Sequence, residues 1–305
     1  MRYAVDIGGT KTALGVFSDD ALELLDARVL PTPRASWEAF EAGVGEALET
    51  LAARHGPPTR LGVSVAGVVH PNTGVVRCTN VPAVHGQPLA QRLEARLGLP
   101  VRVANDADCF ALAEARHGEG QGAGVMLGLI LGTGVGGAVV VAGQLLPGRS
   151  GLSGEWGHGN QLQDRVAALG LRVRTCPCGL GTCLDLYGAG RGLGKVYTDV
   201  CELHFDAPPE TTSAKAIVAA WRAGQAPAER AVALWLTLVA PAVASLVNVL
   251  DPQRVVVGGG MANDGALLQA LDARVRELSL ADHDRALVVP GRFINDGSLR
   301  GAASL

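Results

Sequence analysis

Twice in this chain an apolar, strand-like run meets a glycine turn containing threonine and is followed at once by a second apolar run. The first instance is Ala4 to Ile7, the turn at Gly8-Gly9, then Thr12 to Phe17. The second is Gly124 to Leu131, a loop from Gly132 to Gly137, then Ala138 to Ala142. Two short apolar runs joined by glycine predict a β-hairpin. A third strand, Arg254 to Val257, precedes Gly258-Gly259-Gly260 and a helix from about Gly265. Helical spacing fills part of the interval: Ser36 offers a cap for a helix with apolar positions Trp37, Phe40, Val44, Leu48 and Leu51. Leu61 to Val69 reads as a strand, Leu89 to Leu97 as a short helix, and Val101 to Ala104 as a strand running into Asn105-Asp106 and a helix through Arg116. Two halves that open alike predict two related α/β domains with a ligand cleft between them.

A chain of 305 residues, 48% hydrophobic and 18% charged, is long enough for each domain to bury its own core. A net charge of −3 without a basic run lacks the footprint of nucleic-acid binding. The N-terminus enters a strand pattern directly, so no signal peptide is expected. The uncharged run Ala231 to Leu250 is long enough for a bilayer. Pro241 interrupts it, however, and a strand and glycine loop follow at once, which predicts a buried core or interface helix and no membrane partner. The 6 cysteines are spread unevenly, which suits metal binding in a reducing cytoplasm better than a disulfide framework.

The motif Asp6-Ile7-Gly8-Gly9-Thr10-Lys11 offers backbone N–H groups and the Thr10 hydroxyl to phosphate oxygens. Asp6 would repel a bare phosphate, and so makes sense only with a hydrated Mg²⁺ between them. Gly132-Thr133-Gly134-Val135-Gly136-Gly137 formally matches the dinucleotide pattern. A dinucleotide site needs a helix straight after the loop, whereas this loop runs into the β-rich Ala138 to Ala142. A hairpin phosphate loop fits; an NAD site does not. Gly258, Gly259 and Gly260 offer a close backbone approach to a nucleotide base or ribose.

Asn105-Asp106 stands at a strand-to-helix junction and reads equally as a helix cap or as a carboxylate base for an attacking hydroxyl. Gly154-Glu155-Trp156-Gly157-His158 precedes Cys176, Cys178 and Cys183, which Asp185 follows. Three cysteines and a histidine suffice for a closed structural zinc site, with His158 as the fourth ligand.

Together these motifs resemble the ROK family of sugar kinases, within the actin-like ATPase-domain superfamily, over essentially the whole chain. The GExGH motif and the cysteine segment are the family-specific parts. The passages Val29 to Arg34, Thr79 to Ala83, Asn105 to Leu112 and Val125 to Thr133 are most similar to the family's bacterial N-acetylglucosamine-phosphorylating members.

The resemblance implies two actin-like (ribonuclease H-like) domains, residues 1–117 and 118–296, around an interdomain cleft, with a zinc-bound loop at 154–185 and a C-terminal helix at about 297–305 returning to the first domain. It implies ATP-dependent phosphorylation of the 6-hydroxyl of N-acetylglucosamine with Mg²⁺, or in a related activity of glucose, fructose or N-acetylmannosamine. Asp106 would be the base. Asn105, Glu155, His158 and Asp185 would bind sugar hydroxyls, with Gly67 and Asn80 nearby. Asp6, Gly8, Gly9, Thr10, Lys11, Gly132, Thr133, Gly134, Gly136 and Gly258 to Gly260 would face ATP. The family usually has glutamate where Asp185 stands. A cytoplasmic homodimer is implied as well. The family's repressors carry a DNA-binding domain ahead of the first loop, which is not expected here. A sugar-sensing protein without catalysis is the non-enzyme alternative; Asp6, Thr10, Asp106 and Thr133 argue against it.

Overall fold

The computed structural model describes every residue except Ala21 and Asn160. The chain begins β1 (Arg2–Ile7), β2 (Lys11–Phe17), β3 (Leu24–Pro31), α1 (Trp37–His55), β4 (Leu61–Val65), β5 (Val68–Val69), β6 (Val76–Arg77), α2 (Leu89–Leu97), β7 (Val101–Asn105) and α3 (Asp106–His117). It continues β8 (Val125–Leu131), β9 (Val135–Val141), β10 (Gln144–Leu145), α4 (Gln163–Ala168), α5 (Asp185–Gly188), α6 (Gly190–His204) and α7 (Ala214–Arg222). The last elements are α8 (Ala226–Leu250), β11 (Arg254–Gly258), a 3₁₀ turn at Gly260–Asn263, α9 (Gly265–Glu277), β12 (Val288–Pro290) and α10 (Gly297–Ala303).

Two five-stranded sheets share one plan, β3-β2-β1-β4-β7 and β10-β9-β8-β11-β12. In each, an antiparallel hairpin (β1 with β2, β8 with β9) is extended on its other side by two parallel strands. Loops leaving the carboxyl ends of such parallel strands are where α/β sheets bind ligands. The chain divides into two compact units, one of residues 1–122, 143–153 and 295–305, the other of residues 123–142 and 154–294.

The Ser36 cap forms as its sequence suggests, accepting from Ala39 N, and the spaced residues Trp37, Phe40, Val44, Leu48 and Leu51 are buried. Two expectations change. The predicted strand Leu61 to Val69 ends at Val65 and resumes only at Val68, because Gly67 turns the chain where a Cβ would lie 2.6 Å from the carbonyl of Arg77. The predicted loop Gly132 to Gly137 is shorter: β9 starts at Val135, so Gly136 and Gly137 lie within the strand, paired with Ile130 and Leu129. The Trp156 ring occupies the place of a Cβ on Gly137.

Helix α8 runs unbroken through Pro241 and buries Trp235, Leu238, Val239, Val243, Ala244 and Val247 in the second unit's core. Its length and hydropathy would allow a membrane crossing, yet one face is committed to α6, α7 and α9.

Helix α10 belongs to the first unit and packs on β1, β4 and α3. The approach is backbone to backbone: a Cβ on Gly62 would overlap the carbonyl of Ala302, and one on Gly301 the carbonyl of Cys109. A rigid carbonyl cannot yield as a flexible side chain can. Gly301→Val is therefore expected to cost about 3 kcal/mol, read as a lower urea midpoint for the first unit. An unchanged midpoint would show that α10 is free to shift.

Candidate functional site

In the first unit the hairpin β1–β2 turns at Gly8 to Thr10, where Gly8 N–H donates to Lys11 O at 3.0 Å. The end of β3 braces that turn. Thr32 N–H donates to Thr10 O, and the Thr32 hydroxyl donates to Gly8 O at 2.6 Å. Thr10 and Lys11 are exposed. Asp6 ends up largely enclosed, with Ser64 Oγ donating to its Oδ1 at 2.6 Å. Burial pushes the Asp6 carboxyl up from its ordinary value, against the opposing effects of Ser64 and Lys11. A cation beside it would offset that burial penalty, so the residue suits a divalent metal held near phosphates.

Asn80 lies against the same turn, since a Cβ on Gly9 would come 3.2 Å from Asn80 Cβ. Asn105 closes β7 and caps α3: its Oδ1 accepts from Ala107 N at 2.8 Å and from Asp108 N at 3.4 Å. Its Nδ2 donates to Gly67 O at 3.0 Å. Asp106 is the first residue of α3, and its Oδ1 accepts from Ala107 N at 2.9 Å. The helix N-terminus favours negative charge there.

In the second unit the parallel strands β8 and β11 place two glycine turns together. Gly259, at φ +84°, lies where a Cβ would be 2.7 Å from Gly132 N. Gly190 N–H donates to Gly132 O at 3.0 Å. A cavity of about 770 Å³ adjoins both turns, with Gly132, Gly260, Lys215 and Arg222 among its walls. That volume accommodates a nucleoside. Thr133 is exposed beside it in sequence, while Gly258 closes β11 and is buried. Gly136 lies in β9 and its carbonyl accepts from Trp156 Nε1 at 3.2 Å.

His158, Cys176, Cys178 and Cys183 converge, with all four ligand atoms within 4.8 Å of one another. Cys178 Sγ lies 3.5 Å from Cys183 Sγ, and Cys176 Sγ 3.8 Å from His158 Nδ1. Tetrahedral zinc–sulfur bonds of about 2.3 Å set neighbouring ligands roughly 3.8 Å apart, so the donor set and spacing fit zinc. His158 presents Nδ1 to the thiols and Nε2 toward Glu155 Oε2 at 3.9 Å. Of the thiols, Leu180 N–H lowers the Cys178 pKa while burial raises that of Cys183.

Asp185 turns the other way. Its Oδ1 accepts from Val135 N–H at 2.8 Å, and its Oδ2 pairs with Arg191 Nη2 at 2.6 Å. Arg191 and Ser64 escaped the sequence reading, and Thr32 entered it only within the passage Val29 to Arg34, with no role of its own. Only the hairpin and helix geometry brings them to the loops they support.

A model of the ROK family matches residues 2–305. The chain is 36% identical to the N-acetyl-D-glucosamine kinase of Salmonella newport (strain SL254), covering 100% of this chain and 99% of that one. Among solved structures it is similar to the ROK hexokinase from Thermus thermophilus, at 33% identity and TM-score 0.82, covering 99% of this chain and 96% of that one. It is also similar to the ROK family glucokinase from Streptomyces griseus in complex with glucose and AMPPNP. There the identity is 28% and the TM-score 0.78, over 99% of this chain and 98% of that one. With a family match over nearly its whole length and this α/β fold, the chain belongs to the ROK family.

Proposed function

We propose that this protein transfers the terminal phosphoryl group of ATP to the 6-hydroxyl of N-acetyl-D-glucosamine, giving N-acetylglucosamine 6-phosphate and ADP. The observation that carries this reading is the full-length likeness, at 36% identity, to proteins named N-acetyl-D-glucosamine kinase from both Salmonella and Pasteurella multocida. The paired glycine turns beside a cavity of nucleoside size support it.

In this reading Asp106 accepts the proton of the 6-hydroxyl as that oxygen attacks phosphorus in line. No covalent bond to the protein forms, so positioning and electrostatics supply the acceleration. Asn105, Asn80, Glu155 and His158 hold sugar hydroxyls, with the Gly67 carbonyl accepting from Asn105 Nδ2 beside them. Backbone N–H groups of Gly8 to Lys11 and Gly132 to Gly134, with the hydroxyls of Thr10 and Thr133, hold phosphate oxygens. Gly258 to Gly260 lie toward the nucleoside. Magnesium, which would be held through water by Asp6, supplies charge neutralisation on the phosphates. Zinc would be held by His158, Cys176, Cys178 and Cys183 and supplies structure, not chemistry. The functional halves of the reading are residues 1–117 with the C-terminal helix, and residues 118–296. A cytoplasmic homodimer completes it, on the family resemblance.

A coupled ADP-release assay across N-acetylglucosamine, glucose, N-acetylmannosamine and fructose tests the assignment. N-acetylglucosamine is expected to give the highest kcat/KM. Glucose performing equally well or better would overturn the sugar and favour the glucose reading, to which the likeness to a hexokinase points. Sugar binding without ADP release on any of the four would instead identify a sensor.

A further inference from the structure

The family pattern puts a longer carboxylate, glutamate, where this chain has Asp185, and that carboxylate is implied to meet the sugar. We propose that Asp185, acting with Arg191, is here a positioning residue for the phosphate turn Gly132 to Gly134 and not a sugar ligand. The inference rests on the kinase reading above.

Four contacts bracket that turn. Asp185 is buried, and its Oδ1 takes the N–H of Val135, the residue that ends the turn and begins β9. The turn lies so close that a Cβ on Gly134 would stand 2.5 Å from the same oxygen. On the other side Gly190 N–H holds Gly132 O. The next residue, Arg191, is the one that pairs with Asp185 Oδ2. Both carboxylate oxygens are thus engaged within the protein, and the two ends of the turn are tied to α5 and the start of α6. Asp185 N–H donates to Gly157 O at 2.9 Å, which fixes its backbone to the Glu155–His158 turn. A glutamate on that fixed backbone would carry its carboxylate one methylene further out and lose the short contact to Val135 N–H.

Charge completes the argument. A lone carboxylate beside a phosphate turn would repel the phosphates it helps to orient. The Arg191 guanidinium, with half of its side-chain surface exposed, neutralises it. The pair therefore supplies shape at no net electrostatic cost.

The test is calorimetric titration of the full chain with Mg-ADP in the absence of sugar, alongside separate KM values for ATP and N-acetylglucosamine. Asp185→Ala is expected to weaken ADP binding and raise the ATP KM about tenfold, the size of a lost charge-assisted hydrogen bond, with the sugar KM within about twofold of wild type. Asp185→Asn keeps an oxygen for Val135 N–H and should recover most of that loss. Arg191→Gln, which leaves the carboxylate unneutralised, should weaken ADP at least as much as Asp185→Ala does. Should Asp185→Ala fail to fold, the Asp185→Asn and Arg191→Gln pair still decides the matter. A raised sugar KM with ADP affinity intact would overturn the inference and leave the kinase reading standing. A wild-type chain that binds no ADP would instead remove the nucleotide reading, and this inference with it.

Discussion

Asp106→Asn is expected to lower kcat by roughly 10²- to 10⁴-fold, the usual contribution of a positioned general base, while N-acetylglucosamine and ADP still bind. Turnover and folding should separate here, because the cap of α3 does not rest on the proposed base alone. Asn105 carries the cap of α3, accepting from the N–H groups of both Ala107 and Asp108. Asp106 shares the Ala107 N–H through one oxygen, and an asparagine amide oxygen can do the same. The helix should therefore start where it does now, and the melting temperature should stay close to that of the native chain. What the substitution removes is the capacity to take a proton. Steady-state turnover, sugar titration and a thermal melt on the same preparation would check it. Near-normal turnover would remove Asp106 as the base, and a large fall in melting temperature would mean that its part in the helix start had been underrated.

The sequence alone left Asn105-Asp106 open between cap and base, and the reason is physical. Both roles favour a short polar residue at a strand-to-helix junction, and only the direction of each side chain separates them. The same limit runs through the fold. The hairpins around Gly8-Gly9 and Gly132 to Gly134 are legible because apolar runs and glycine turns are local. The helix after Ser36 is legible because cap and periodicity agree. Strand β3 is not, since it is an edge strand with mostly exposed residues and so lacks the alternation that marks a half-buried strand.

The site divides along the same line. The cysteine segment can be read from spacing, and the structure gathers its three thiols with His158. The pairing of Asp185 with Arg191 cannot be so read. Nothing in the local pattern says that this aspartate turns toward Val135, because the decision is made by a strand that begins fifty residues earlier in the chain.

Removing the proposed zinc ligands should have the other large effect, and it should couple stability to sugar binding. The washed protein is expected to carry one zinc per chain by elemental analysis, and Cys178→Ser to lose most of it. Structural zinc binding is worth on the order of 10 kcal/mol in small zinc domains, where it is folding free energy. Here the loss should be smaller, because the segment has other anchors. Buried Asp199 takes a bidentate pair from Arg174 at 2.6 and 2.7 Å and accepts from Arg172 N–H at 3.1 Å. Tyr187 OH donates to Arg172 O, and Thr182 Oγ1 to Arg174 O. These hold the approach to Cys176 and leave the stretch from Cys176 to Cys183 most dependent on the metal. A fall of a few kcal/mol in unfolding free energy is expected, together with a weaker sugar affinity.

The second effect follows from His158. Its Nδ1 faces the thiols while Nε2 faces Glu155, so one imidazole joins the Cys/His cluster to a proposed sugar ligand. A ring released from zinc turns freely, and the approach of its Nε2 to within 3.9 Å of Glu155 Oε2 goes with it. Nucleotide affinity should change less, because Asp185, which holds Val135 N–H beside the turn Gly132 to Gly134, is itself anchored by Arg191 outside the cysteine segment. A metal-free preparation with full activity and an unchanged unfolding curve would refute the structural role. Loss of sugar affinity in step with zinc content, at constant ADP affinity, would establish it.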